Sequence, residues 1–290
     1  MRISTEIQSV SRHVGEMRAL PLVAAAGFDA YDFSMFSMAP YDYKTKSVTT
    51  SDHPLNGAGY AAFAKELAHI ARECGLVCNQ SHAPFPSMAT GMMPYLFRAI
   101  ECTAIAGGEI CIIHPNNNLS AEENAEMYCE LLPFAKECGV RIATENMWNW
   151  DKEKAEALPA ACSHHDDFLR HIEAVNDPYL VACLDLGHAE MRGLSTTSVA
   201  MIKTLGHHLH ALHVHDNDLH RDSHALPFSM SIDFVPIAHA LAEIGYRGDI
   251  TLECERHLTA FTSDTVGDGL REMAAAARRL AAMVEEARGE

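Results

Sequence analysis

Eight short β-like runs alternate with eight helix-like segments along 290 residues, and this alternation is the strongest constraint on the fold. The expected strands are 2–7, 30–35, 77–83, 109–115, 141–146, 180–186, 210–216 and 249–255. The expected helices are 14–26, 58–74, 92–106, 121–138, 164–175, 195–206, 233–244 and 265–288. Glycines at 27, 75, 107, 139, 206 and 245 fall where helices should stop, as C-cap residues do. Eight βα pairs in a chain of this length predict an α/β fold, a single (β/α)8 TIM barrel over residues 1–290. A doubly wound open sheet would favour a glycine-rich turn after the first strand, and none is present.

Such a barrel gathers the C-terminal ends of its strands at one mouth, so the residues there carry the functional reading. The third strand ends in Ser81-His82, the fourth in His114 and the fifth in Glu145-Asn146. The sixth ends in Asp185, with His188 three residues on. The seventh carries His213 and His215, with Asp222 and His224 in the loop beyond, and the eighth ends in Glu253. Singly, each is an ordinary hydrogen-bonded loop residue. Together, acids and histidines end six consecutive strands, which points to a divalent metal site. Glu145, Asp185, His215 and Glu253 form the most economical ligand set, with His213 a buried support one layer deeper. Carboxylates suit manganese, magnesium or cobalt, and imidazole raises affinity for zinc; manganese is the first choice. Trp148 and Trp150 either supply an apolar wall to a ligand site or anchor their loop. Asp216 and Asp218 read as loop braces. His164, His165, His207, His208 and His210 read as surface or capping residues.

Charge narrows the substrate. With 22 basic and 39 acidic residues the formal charge is −17, which repels phosphate backbones, so no nucleic-acid partner is expected. No run of about 18 apolar residues is present, so no membrane span is expected. The N-terminus lacks the apolar stretch of a secretory signal, and nine scattered cysteines without framework spacing suit reduced thiols; a cytoplasmic setting is the expectation.

The segments SHAPF, IIHP, ATENMW, CLDLGHAEMRG, HVHDND followed by LHRDSHALPFSMSIDF, and ITLECE resemble the xylose-isomerase-like TIM barrels over nearly the whole chain. That superfamily groups sugar isomerases and epimerases with the endonuclease IV family. Likeness to the endonuclease IV branch implies up to three metals on nine side chains: His82, His114, Glu145, Asp185, His188, His215, Asp222, His224 and Glu253. Likeness to the ketose 3-epimerases implies one metal on Glu145, Asp185, His215 and Glu253. It also implies substrate contacts from His188 and Arg221, and from Asp151 where those enzymes have Glu. His82 is a further substrate-binding candidate. Related proteins usually read G-E-G in the loop after His224, whereas here the loop holds Phe228-Ser-Met-Ser231.

The leading expectation is a metal-dependent isomerase or epimerase of a sugar or sugar phosphate. Glu145 and Glu253 would move protons at carbon while the metal polarises a carbonyl. The rivals are phosphodiester hydrolysis, a lyase or dehydratase acting on a polyol or cyclitol, and a non-catalytic sugar-binding barrel. The sugar, the carbon and the native metal stay open. So does oligomeric state, although barrels of this kind often pair into homo-oligomers.

Overall fold

Strands of a closed barrel are covered on both faces, and the residues of the eight barrel strands are buried almost throughout, polar ones included. The computed structural model describes residues 1–290. Its strands are β1 (Ile3–Glu6), β2 (Ala30–Ser34), β3 (Val77–His82) and β4 (Ile110–Ile112), then β5 (Arg141–Glu145), β6 (Leu180–Asp185), β7 (Leu209–His213) and β8 (Ile250–Leu252). They form one sheet in the order β7-β6-β5-β4-β3-β2-β1-β8, with parallel pairing throughout. Val214 closes the ring. Its amide donates to the Thr251 carbonyl at 2.9 Å, and its carbonyl accepts from the Glu253 amide at 3.1 Å. The result is the expected (β/α)8 barrel.

Helices stop where the chain can turn left-handed. Met93–Ala106 ends at Gly107 and Ala121–Cys138 at Gly139, both with positive φ. Ser120 and Glu123 form a reciprocal capping box at the start of the second of these. Between helices and sheet lies a continuous core of 67 buried residues. Inside the barrel, Ile112, Ala143, Val181, Cys183 and Ala211 form a separate apolar layer. Side chains two residues apart on a strand share a side. The positions directly above this layer are therefore His114, Glu145, Asp185 and His213, which fixes the site above an apolar plug.

Several elements differ from the sequence expectation. The first helical region is two helices, Gln8–Val14 and Glu16–Ala25, because Gly15 at φ 81° breaks it. Two short antiparallel ribbons, 41–42 with 47–48 and 149–151 with 156–158, occupy stretches expected to be irregular. Short helices Leu186–Ala189 and Glu255–Leu258 follow β6 and β8 directly. β4, β7 and β8 each end three residues early, where the chain leaves the ladder at the mouth.

Candidate functional site

Two groups of polar side chains meet at the mouth. In the first, His82 and His114 face each other with their Nε2 atoms 2.9 Å apart. Glu145 Oε2 lies 3.2 Å from His114 Nε2 and 3.6 Å from His82 Nε2. Its other oxygen lies 3.3 Å from His213 Nδ1. His213 is fully buried, and its Nε2 lies 3.3 Å from Asp32 and 3.5 Å from Glu253 Oε1. In the second group, His215 Nε2 lies 3.1 Å from Asp185 Oδ1 and 3.3 Å from Asp222 Oδ1. Asp222 also approaches His188 Nε2 at 3.3 Å and His224 Nε2 at 3.2 Å. The His215 and His224 rings stack at 4.1 Å.

The histidines are presented in one way. The Nδ1 of His82 meets the Ala83 carbonyl, that of His188 the Asn146 carbonyl, and that of His224 the Glu253 carbonyl, at 2.8 to 3.0 Å. His215 Nδ1 meets the Asp216 carbonyl at 3.3 Å. A carbonyl accepts only a donor, so these contacts place a proton on Nδ1 and aim Nε2 at the other polar groups, where it offers a lone pair to a cation once any second proton has left. Imidazoles that bind metal are held in this way. Asp185 Oδ2, Asp222 Oδ1, His213 Nδ1 and His215 Nε2 are buried without a hydrogen-bond partner. Such orphans are costly in a closed protein and are the atoms a cation would satisfy. The side chains fit one or more divalent cations.

Electrostatics agree. Burial alone would raise the Glu145 carboxyl, but the His213 and His114 imidazoles outweigh it and hold it well below the usual range. Burial, with the charge of Glu145 added, pushes Glu253 well above that range despite the pull of His213. Burial would lower His188, yet Asp185 and Asp222 raise it to about 10. His224 is also raised, because Asp222 and Glu255 outweigh its burial. The metal-free site therefore holds a proton on His188 at pH 7 and favours the protonated forms of His224 and Glu253, and a cation must displace any proton on its ligands. Calorimetric titration with Mn²⁺ or Zn²⁺ in buffers of different ionisation enthalpy should show release of at least about one proton per ion, with affinity falling as pH falls. A binding heat independent of buffer would contradict this charge state.

The structure sorts the other candidates. Trp148 lines the cavity above the polar floor, 6.3 Å from the His188 ring. Trp150 packs with it over Ala157, Met191 and Leu194. Asp151 does not line the cavity; its carboxylate accepts the amides of Glu153 and Lys154 in the ribbon turn. Arg221 is exposed outside the lining, in a turn that Asp218 holds by accepting the amides of His220 and Arg221. Asp216 does brace the loop, accepting four backbone amides between Asn217 and Ile232. Phe228, in the segment where relatives carry glycines, sits at φ 69°, with the Arg279 guanidinium 3.9 Å from its ring centre. The sequence reading missed Glu6 and Glu255, which also line the cavity. Glu6 ends β1, so the strand-end rule that found the other acids applies to it. Burial and Glu255 raise its carboxyl to about 7.

Comparison with known proteins fits this architecture. The chain is 27% identical over 190 residues to an uncharacterized protein of Methanocaldococcus jannaschii, covering 59% of this chain and 62% of that one. It is 26% identical over 174 residues to an uncharacterized protein of Sinorhizobium fredii, covering 58% and 52%. Both matches thus span less than two thirds of the relative. Among solved structures it resembles a D-tagatose 3-epimerase-like protein (19% identity, 99% of both chains, TM-score 0.71). It resembles an L-ribulose 3-epimerase (18%, 99% of this chain and 96% of that one, TM-score 0.70). It also resembles the IolI protein with a binding zinc atom (13%, 99% of both, TM-score 0.72). At these identities the likeness establishes the fold. The family model described as xylose isomerase-like TIM barrel matches residues 20–283, and the chain belongs to that family.

Proposed function

We propose that the protein is a divalent-metal-dependent isomerase or epimerase of a sugar, working by proton transfer at carbon. The observation that carries this reading is the pair Glu145 and Glu253. They end β5 and β8, reach opposite nitrogens of the His213 ring, and have carboxyls pushed in opposite directions. Two acids whose environments separate their protonation states supply a base and an acid in one cavity. The solved structures of sugar epimerases on this fold support the same reading.

Glu145, Asp185 and Glu253 with His213 or His215 would hold the cation. When bound, it supplies Lewis acidity toward a carbonyl and the neighbouring hydroxyl. The ionised Glu145 accepts the carbon-bound proton at a carboxylate oxygen. Glu253 returns a proton from the other side of the substrate, which inverts the carbon; return to the neighbouring carbon isomerises instead. His188, fixed through Nδ1 on the Asn146 carbonyl, orients a substrate oxygen from Nε2. Trp148 walls one side and keeps bulk water from the reacting carbon. The test is solvent exchange. Manganese-loaded protein in D₂O, offered a panel of ketoses and aldoses, should place one deuterium on the carbon next to the carbonyl of at least one sugar. No incorporation into any sugar, with metal bound, would end this reading.

A second reading, phosphodiester hydrolysis at two or three metals, draws on the grouping of His188, His215, Asp222 and His224 beside that of His82, His114 and Glu145. The formal charge of −17 opposes it. Abasic duplex DNA should bind weakly at physiological salt and resist incision. Robust cleavage at nanomolar protein, abolished by chelation, together with two or three tightly held zinc ions, would favour hydrolysis instead.

A further inference from the structure

The cavity, polar floor included, encloses about 510 Å³, within the range of about 300–1,000 Å³ typical of small-ligand sites. Its lining contains no lysine or arginine, but it does contain Glu6, Glu145, Asp222, Glu253 and Glu255. One wall is apolar. Phe85 meets Phe36 edge-on at 5.1 Å and stacks on His114 at 5.1 Å, while Phe36 meets His82 edge-on at 4.7 Å. The apolar shelf is thus continuous with the imidazoles of the floor. Phe85 is 40% and Met88 49% exposed, although most large apolar side chains of this chain are buried. Aromatic and thioether groups left open on a cavity wall await an apolar ligand surface. Elsewhere on the lining, Asn117 donates to the Trp148 carbonyl and to Asn149 Oδ1, which stiffens the polar rim.

We propose that the shelf of Phe36, Phe85 and Met88 is a second subsite, and that the substrate is an unphosphorylated keto-glycoside, with its ring ketone and the neighbouring carbon at the floor and its apolar or aromatic substituent on the shelf. This rests on the sugar reading above. A phosphate ester would bring up to two negative charges into a cavity lined by five carboxyl side chains and no lysine or arginine, where the His188 and His224 imidazoles are already paired with Asp222 and Glu255. An aromatic substituent instead covers Phe85 and Met88 and removes their apolar surface from water.

The test is calorimetric titration of the manganese-loaded protein with phenyl β-glycosides of a panel of ring-keto hexoses and pentoses, beside the parent sugars and their terminal phosphate esters. At least one glycoside should bind about tenfold or more tightly than its parent sugar, from burial of the phenyl ring. The phosphate ester should bind more weakly than the parent. In Phe85→Ser/Met88→Ser, the ratio of glycoside to parent affinity should fall to about one. Met88→Ser alone, a milder change at an exposed position, should lower it part of the way. Parent sugars binding as well as every glycoside would overturn the second subsite and leave the sugar reading standing. Tighter binding of a phosphate ester would do the same. Failure of every sugar and glycoside to bind would remove both.

Discussion

Gly187→Ala should destabilise the protein and strip it of bound divalent metal, although the change adds one methyl group. A Cβ on Gly187 would overlap the His215 ring itself. That ring is fully buried and held on several sides. Its Nε2 lies near Asp185 and Asp222, its Nδ1 meets the Asp216 carbonyl, and its face stacks on His224. The Gly187 backbone cannot retreat cheaply either. Its carbonyl accepts from Asn217 at 2.8 Å, and Asp185 caps the same turn through the His188 amide at 2.7 Å. Overpacking of this kind costs roughly 1–3 kcal/mol. We expect a lower denaturation midpoint and at least about a tenfold loss of metal affinity, equivalent to about 1.4 kcal/mol. Adding His215→Ala should restore the midpoint, because it removes the obstructing ring, but not the metal. Gly187→Ala protein with normal metal content and normal stability would show that the His215 ring is free to move.

The eight strands were legible because each is a short run set between helical stretches, and the βα rhythm has few other solutions. The strand-end acids and histidines were legible for the same reason, since barrel geometry collects them whatever their separation in sequence. Contacts within the mouth were not. Alternation puts His213 and His215 on one side of β7, but it does not say that His213 touches both glutamates while His215 turns to Asp185 and Asp222. Asp32 lies in mid-strand on β2, and only the folded barrel brings it to His213. Arg221 and Asp151 were placed by likeness to relatives, and in the structure local turns hold both outside the cavity lining. Asp218 and Asp151 each accept amides two and three residues ahead, a short-range competition that a family correspondence does not register. The shelf of Phe36, Phe85 and Met88 had no periodic pattern to betray it, because it is built from two loops.

Glu145→Gln and Glu253→Gln should each lower turnover by at least about 10²-fold, the lower end for general acid–base catalysis. Glutamine keeps an oxygen and nearly the same shape but cannot carry the proton. The two variants should differ in kind. Glu145 is the ionised member of the pair, so Glu145→Gln should abolish removal of the carbon-bound proton, and deuterium should no longer enter the sugar. It also removes the anion that His213 and His114 face, so its metal affinity should drop further than that of the partner variant. Glu253→Gln removes a group that burial and the neighbouring Glu145 shift toward its protonated form. It should keep more metal and continue to exchange deuterium on the face served by Glu145, without completing the inversion. Mass spectrometry of recovered sugar separates exchange from epimerisation, and elemental analysis of each variant separates lost chemistry from lost metal. Near-normal turnover in both variants with metal still bound would refute the two-glutamate mechanism. The search would then move to Glu6, the remaining buried carboxyl at a strand end on the cavity wall.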